Sequence, residues 1–232
     1  MNIRILFVAS LALFFSAIPQ TARAQKNGKA EIVILDEDKR LTLKFTNRDP
    51  DKQQCGFLVT NTLMENEEES LALAVSHLHL SQFRAPGMPE RGWLYITASR
   101  IVFRVQTGDP SHAFDIPRKD LDERPGTIEY FKVSSDFMFE HFAPGVKIHL
   151  REKLQPSDSA EQKFIFSTLG RGDKCSLKNY RPYENFIKRA VNDFSGAMAE
   201  FKQLAASLQQ SGKIQRAARP IAPVLKSRRN SI

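Results

Sequence analysis

The chain has 232 residues, a formal net charge of +8 and 41% hydrophobic residues, enough for one sizeable core without help from a metal. The charge does not mark a nucleic-acid-binding face on the folded part. Arg4 and Arg23 sit near the start, Lys213, Arg216, Arg219, Lys226, Arg228 and Arg229 sit in the last 20 residues, and residues 25–212 between them balance to zero.

Residues 1–24 read as a secretory signal peptide. Arg4 precedes an apolar run from Ile5 to Ile18, and Ala22-Arg23-Ala24 supplies the small-residue end. That run of 14 residues is shorter than the roughly 20 of a spanning helix, and no cysteine stands beside the cut to carry a lipoprotein anchor. The expected location is outside the cytoplasm, periplasmic or secreted. In such a compartment Cys55 and Cys175 can form a disulfide or persist as two separate buried thiols. A bridge would close a loop of about 120 residues and contribute roughly 4–5 kcal/mol on the chain-entropy view.

Residues 25–70 form an N-terminal extension. "EIVILDEDKRLTLKFTN" has two β-rich runs around Asp36–Lys39, a hairpin pattern. The stretch from Phe57 reads either as two strands joined at the acidic loop Glu65–Ser70 or as a short helix followed by a strand. Leu71–Ser81 alternates as a strand. Strands are then expected at Gly92–Thr97, Ile101–Gln106, His112–Pro117, Thr127–Ser134, Lys147–Glu152 and Gln162–Thr168. Turn-rich links separate them, including "TGDPS" and Lys119–Gly126. "FMFEHFAPG" is aromatic and gives no clear period. Short strands at this spacing predict one antiparallel sandwich or barrel.

From Pro182 the period changes. Tyr183, Phe186, Ile187, Ala190, Val191, Phe194, Met198, Phe201, Leu204, Ala205 and Leu208 recur at steps of three and four, an amphipathic helix ending at Gly212. Thirty helical residues extend about 45 Å, more than one small barrel covers. Either Ser195-Gly196 breaks the helix, or its distal half packs on the N-terminal hairpin or on another subunit. Residues 213–232 are basic, contain two prolines and predict a disordered tail.

"RGWLYITASRIVFRV" and the following "AFDIPRKDL" resemble the GRAM branch of the pleckstrin-homology-like fold over about residues 91–122. Seven strands followed by one helix is also the element order of that fold. The resemblance implies that residues 71–212 are mainly β with a long C-terminal α-helix, an antiparallel barrel or sandwich capped by the helix, and that the domain is a binding module. In the hairpin itself, Leu94 and Ile96 should face Ile101, Phe103 and Val105, while Trp93, Tyr95 and Thr97 take the other face. That second face is either a half-exposed aromatic surface or lies under the N-terminal hairpin.

Arg84, Arg91, Arg100, Arg104, Arg118 and Lys119 are the candidate ligand-binding residues, an anion or lipid-headgroup site at an open barrel end. The plainer reading is solvated charge balanced by Glu90, Asp120 and Asp122. His77 and His79 have a spacing compatible with metal ligation, and His141 and His149 could approach each other, but no carboxylate or thiol pattern completes a site, so no metal is expected. "ENEEES" lacks the alternating donors and glycine of a calcium loop. Arg171-Gly172-Asp173 spells an adhesion tripeptide and reads more simply as a turn. The tail offers an anionic membrane about 1 kcal/mol per charge near the surface, and nucleic acid is not an expected partner.

None of the common nucleophile, metalloprotease, phosphate-loop or dinucleotide motifs occurs, and no cofactor is expected. These readings converge on an exported, non-enzymatic binding or scaffold module. Its ligand is either a peptide or protein segment added along a strand edge beside the helix, or an anionic lipid headgroup among Arg84, Arg91 and Arg104. A hydrolase or other enzyme with a site built from scattered residues is the alternative. Oligomeric state is left open.

Overall fold

A computed structural model describes residues 30–46, 56–64, 67–78, 90–135, 140–152, 160–166, 181–217 and 222–223. The expected signal peptide, Cys55, Cys175, His79, Arg84 and the tripeptide 171–173 lie outside them.

The strands are β1 (Ile32–Leu35), β2 (Leu41–Thr46), β3 (Gly56–Leu63), β4 (Glu69–Leu78), β5 (Glu90–Thr97), β6 (Arg100–Thr107), β7 (Phe114–Pro117), β8 (Leu121–Ser135), β9 (Glu140–Leu150) and β10 (Glu161–Phe166). Two helices follow, α1 (Arg181–Asn192) and α2 (Phe194–Gln210), and then a short strand β11 (Ile214–Arg216). The stretch from Phe57 thus forms two strands, and "EHFAPG" belongs to β9.

One sheet holds all eleven described strands in the order β11-β1-β2-β3-β4-β10-β9-β8, with β5, β6 and β7 leaving from the second edge of β4. β4 is the branch point. Ser70–His77 pair with β5 along one edge. On the other edge Glu69–Ala72 pair with β3 and Val75–Leu78 pair with β10. The alternation of β4 suits this position. Leu71, Leu73 and Val75 enter the main core, Ala72 enters a smaller cluster on the opposite face, and His77 is buried.

The hairpin register is the one its alternation predicts: Leu94 pairs with Phe103, Ile96 with Ile101, and Gly92 with Val105. Gly92 is required by close approach, since a Cβ there would stand 2.2 Å from the Arg104 carbonyl oxygen and 2.6 Å from the Phe103 ring. The second face is not a half-exposed aromatic surface. Tyr95 and Thr97 are fully buried, Trp93 is partly covered, and Met64 and Ala222 close over them.

The sheet is open, so the barrel expectation is corrected. Among the described residues β7 and β8 do not pair. The physical reason lies between them. A single 3-10 turn, Arg118–Asp120, redirects the chain after the four-residue β7, and the end of α1 occupies the edge of β8 that a closing strand would need. There the Asn192 side-chain amide accepts from Gly126 N–H at 3.1 Å and donates to Gly126 C=O at 3.0 Å.

The expected single helix is two. The break falls at Asp193, whose carboxylate accepts from Gly196 N–H at 3.0 Å and caps α2. Gly196 makes room for that cap, because a Cβ would lie 2.2 Å from Asp193 Oδ2. α1 packs on β8 and β9, while α2 packs on β1 and β2, so the distal half does cover the N-terminal hairpin. Tyr183 and Phe186 of α1 enter an aromatic knot: Phe57 stacks on Tyr183 at 4.4 Å, and Phe45 and Phe166 meet Tyr183 edge-on at 5.4 and 5.0 Å. Gly212, at φ 70°, ends α2 with a reciprocal pair of bonds, Lys213 N–H to Leu208 C=O and Gly212 N–H to Gln209 C=O, both 3.0 Å.

The segment expected as a disordered tail begins with structure. β11 pairs in parallel with β1, Ala217 N–H donates to Leu35 C=O at 2.8 Å, and Ala222 is fully buried. β11 finds a sheet edge and Ala222 finds apolar cover, which composition alone does not reveal.

Phe57→Ala should destabilise the protein by about 3–5 kcal/mol, since it empties the centre of the aromatic knot. Asp193→Ala should cost only about 1 kcal/mol, the usual loss of a helix cap. Chemical denaturation of both variants checks the ranking, and equal losses would show that the knot is not the central packing unit.

Candidate functional site

The six basic candidates do not converge. Arg84 lies outside the described residues. Arg91, Arg100 and Arg104 occupy alternate positions of the β5–β6 ladder on the face that carries Trp93 and Tyr95. Arg100 is already committed, its Nε 3.3 Å from Glu68 and its Nη1 2.8 Å from Asp115. Glu68 also accepts from Ser99 Oγ at 2.7 Å. Burial pushes the Glu68 carboxyl up, but the Ser99 and Thr97 hydrogen bonds and the Arg100 charge outweigh it and leave the group below its ordinary value.

Arg118 serves the framework. Its guanidinium donates to Thr97 C=O at 3.0 and 2.8 Å, to Ala190 C=O at 3.2 Å and to Val191 C=O. It therefore caps the last carbonyls of α1, a favourable place for a cation. Burial lowers its pKa, with Asp193 and Glu68 opposing. Lys119, beside it, is exposed. Of the six, Arg91, Arg104 and Lys119 show no ion pair to a described residue in this structure.

His77 pairs directly across the ladder with Glu90. Its Nε2 donates to Gln162 Oε1 at 2.9 Å, and its Nδ1 is 3.8 Å from Glu90 Oε2. The Glu90 carboxylate is also hydrogen-bonded by His112 Nδ1 and, at 3.4 Å, by Asp109 N–H. Phe103, Phe114 and Phe164 surround the His77 ring at 4.9–5.8 Å. This aromatic-walled cluster reads as a buried polar joint between β4, β5 and β10. Among the described residues no group of three histidine, cysteine or acidic side chains is placed to hold a metal. His141 and His149 do not meet. Both lie on β9, eight positions apart, about 26 Å along an extended strand. His149 instead bonds Thr127 Oγ1 at 3.0 Å and lies 3.6 Å from Glu161.

One strand edge without a strand partner among the described residues lies on β8. It ends the sheet, and among the described residues no strand pairs on its outer side. Its ladder with β9 runs without interruption from Gly126–Ile148 to Lys132–Phe142. Asn192 bonds both backbone groups of Gly126, so those groups point away from β9. By the period of two, Ile128, Tyr130 and Lys132 turn their N–H and C=O the same way. Asn192 thus occupies the first rung of an open edge as a peptide group would.

α1 runs beside this edge. Asn192 stands at Gly126, and Glu184 accepts from Tyr130 Oη at 2.9 Å. The two contacts are about 13 Å apart along β8 and about 12 Å apart along α1, so strand and helix keep step. Exposure grows along the strand, from buried Gly126 through half-buried Ile128 to Tyr130. Tyr130 and Phe142, 45% and 46% exposed, are diagonal neighbours on this ladder and two of the four large apolar residues exposed among those described. Asn192, Glu184, Tyr130 and Phe142 were not legible as a site, because each looks ordinary in its own element.

No protein-family model matches the chain, and no curated protein or solved structure matches it. No described helix is long and apolar enough to cross a membrane.

Burial raises the Glu184 carboxyl above its ordinary value, with the Tyr130 hydrogen bond and the Arg181 charge opposing. The folded state therefore binds this proton more tightly than the unfolded chain. Its contribution to stability is full below the ordinary carboxylate pKa of about 4.5 and is lost as pH rises through the raised value. Glu184→Gln keeps an oxygen for Tyr130 and cannot ionise. It should be more stable than wild type at pH 7, with the gain shrinking toward pH 4. Urea denaturation at both values checks this, and a gain that grows on acidification would contradict it.

Proposed function

We propose that the chain is an exported, non-enzymatic binding module of the pleckstrin-homology-like kind, which takes an extended peptide segment as an added strand on β8 beside α1. The observation that carries this reading is the Asn192–Gly126 pair. It shows both backbone groups of one edge residue accepting an amide partner, with the same edge continuing unpaired past Ile128 and Tyr130. Strand addition of this sort draws affinity from main-chain hydrogen bonds and selectivity from alternate side chains. The exposed Tyr130 and Phe142 favour a segment with apolar residues at alternate positions.

The domain reading is supported by element order. β4 to β10 are seven strands, the seventh returns to pair with the first, and α1 follows. The rival ligand, an anionic headgroup at Arg84, Arg91 and Arg104, has less to rest on. Arg100 and Arg118 are engaged elsewhere, and Arg91 and Arg104 lie on the sheet face rather than at one end.

Tyr130→Pro tests the proposal. At the backbone, proline removes only an outward N–H and is tolerated at edge positions of this kind. Peptides selected from a random eight-residue library should bind the wild type and lose at least tenfold in affinity for Tyr130→Pro, while paired Arg91→Glu and Arg104→Glu changes leave binding intact. If Tyr130→Pro binds as well as wild type, the strand-addition reading fails. If the protein binds anionic vesicles at low salt and the two arginine reversals abolish that binding, the headgroup reading replaces it.

A further inference from the structure

On the sheet face opposite the helices, Ala72 of β4, Tyr95 of β5 and Val102 of β6 form one cross-strand row. Met64 closes one end and Trp93 lies on the rim. Ala72 is the smallest side chain of the row, opposite the buried Tyr95. Ala222, 150 positions after Ala72 in the chain, packs into this cluster and is fully buried.

Two donors are aimed at the backbone seated there. Arg40 Nη1 donates to Ala222 C=O, and Tyr95 Oη donates to Pro223 C=O at 3.1 Å. Arg40 is held in place from behind. Its backbone N–H and its Nε both bond Asp36, at 2.8 and 2.7 Å, and its Nη2 lies 3.2 Å from Asp38. The Arg40 side chain is 9% exposed and that of Asp36 is fully buried. Burial pushes the Tyr95 hydroxyl up to about 12, with Arg104 and Arg40 opposing, so it stays a donor throughout the neutral range.

The chemistry of this groove is one-sided. It offers apolar cover for a methyl group, an aromatic rim and two donors for successive carbonyls. A proline-containing segment matches it, because proline has no N–H to satisfy and its extended backbone presents bare carbonyls. In the sequence Arg219-Pro220-Ile221-Ala222-Pro223 a second proline stands three positions earlier, one turn of a polyproline helix. We propose that this groove is a recognition site for an Ala-Pro segment, and that the chain's own segment around Ala222–Pro223 is its resident, displaceable ligand. Parallel pairing of β11 with β1, and the Ala217–Leu35 bond beyond it, deliver the segment to the groove.

Trp93 is the one tryptophan of the chain, so its emission reports on this groove directly. In the full-length protein, Ala222→Asp places a carboxylate in the apolar cluster and should expel the segment, shifting Trp93 emission to the red with the circular dichroism unchanged. A synthetic peptide of residues 217–226 should then restore the emission saturably. It should bind this variant at least tenfold more tightly than it binds wild type, where the resident segment competes, and the same peptide with both prolines replaced by alanine should bind at least tenfold more weakly. If the peptide does not restore the emission of a folded Ala222→Asp protein, or if the prolines make no difference, the contact is fixed packing and the proposal is overturned. Should Ala222→Asp fail to fold, Ala222→Gly, which removes only the buried methyl group of the resident segment and leaves the groove intact, carries the same test. The peptide should then displace its resident segment at least threefold more readily than in wild type, and an unchanged response overturns the proposal.

Discussion

β4 is the strand on which the rest of the structure depends. One edge binds β5 along its length, and the other is divided between β3 and β10. Every ladder in the described sheet therefore traces back to ten residues. This explains why both faces of the strand are apolar in its first half. Leu71 and Leu73 meet the core beneath the helices, while Ala72 meets Tyr95 on the far side. A strand with three partners and two covered faces has little freedom of register, since a slip of one residue would exchange the two sets. The polar joint of His77, Glu90 and Gln162 marks the point where the branches diverge. There a side-chain hydrogen bond joins β4 to β10, and the Glu90 carboxylate of β5 stands 3.8 Å from the His77 ring.

The helices decide how the branched sheet is finished. α1 brings Tyr183 and Phe186 against Phe45, Phe57 and Phe166, tying the N-terminal strands to the returning β10. Its last turn then meets β8, where Asn192 takes the Gly126 rung and Arg118 takes the exposed carbonyls of the helix end. Those contacts compete directly with closure of the sheet. The result is an edge that is occupied at one rung and open along the next few, the feature on which the proposed peptide-binding activity rests. The two sites proposed lie on different elements. One uses the backbone edge of β8, and the other uses side-chain donors on the outer face of β5 and the β1–β2 turn.

Much of the local structure was legible because it depends on neighbours in sequence. The alternation in "WLYIT" and "RIVFRV" specified which residues of that hairpin pair, and the three-and-four spacing after Pro182 specified the buried stripe of both helices. The helix breaks two to three residues before the Ser195-Gly196 pair that the sequence offers as a breaker. Asp193 makes the cap, and Gly196 only accommodates it. The length of β8 was missed because "DERPG" carries turn residues, which the structure absorbs as a bulge between Leu121 and Gly126. The basic residues were grouped by charge, yet charge does not tell a solvated arginine from one such as Arg118, which is spent on four carbonyl contacts.

Alone, the sequence determined the mainly β character, the place of the helices, the hairpin register and the concentration of positive charge at the chain's end. All of these follow from which side chains avoid water and how often they recur. Only the tertiary structure decided that the sheet stays open, that β4 branches, that β8 keeps a free edge and that Ala222 returns to an apolar cluster built mainly by strands from the first half of the chain. A periodic pattern states that a residue is covered but not by what. Which backbone groups are left without a strand depends on how distant segments compete for the same edge.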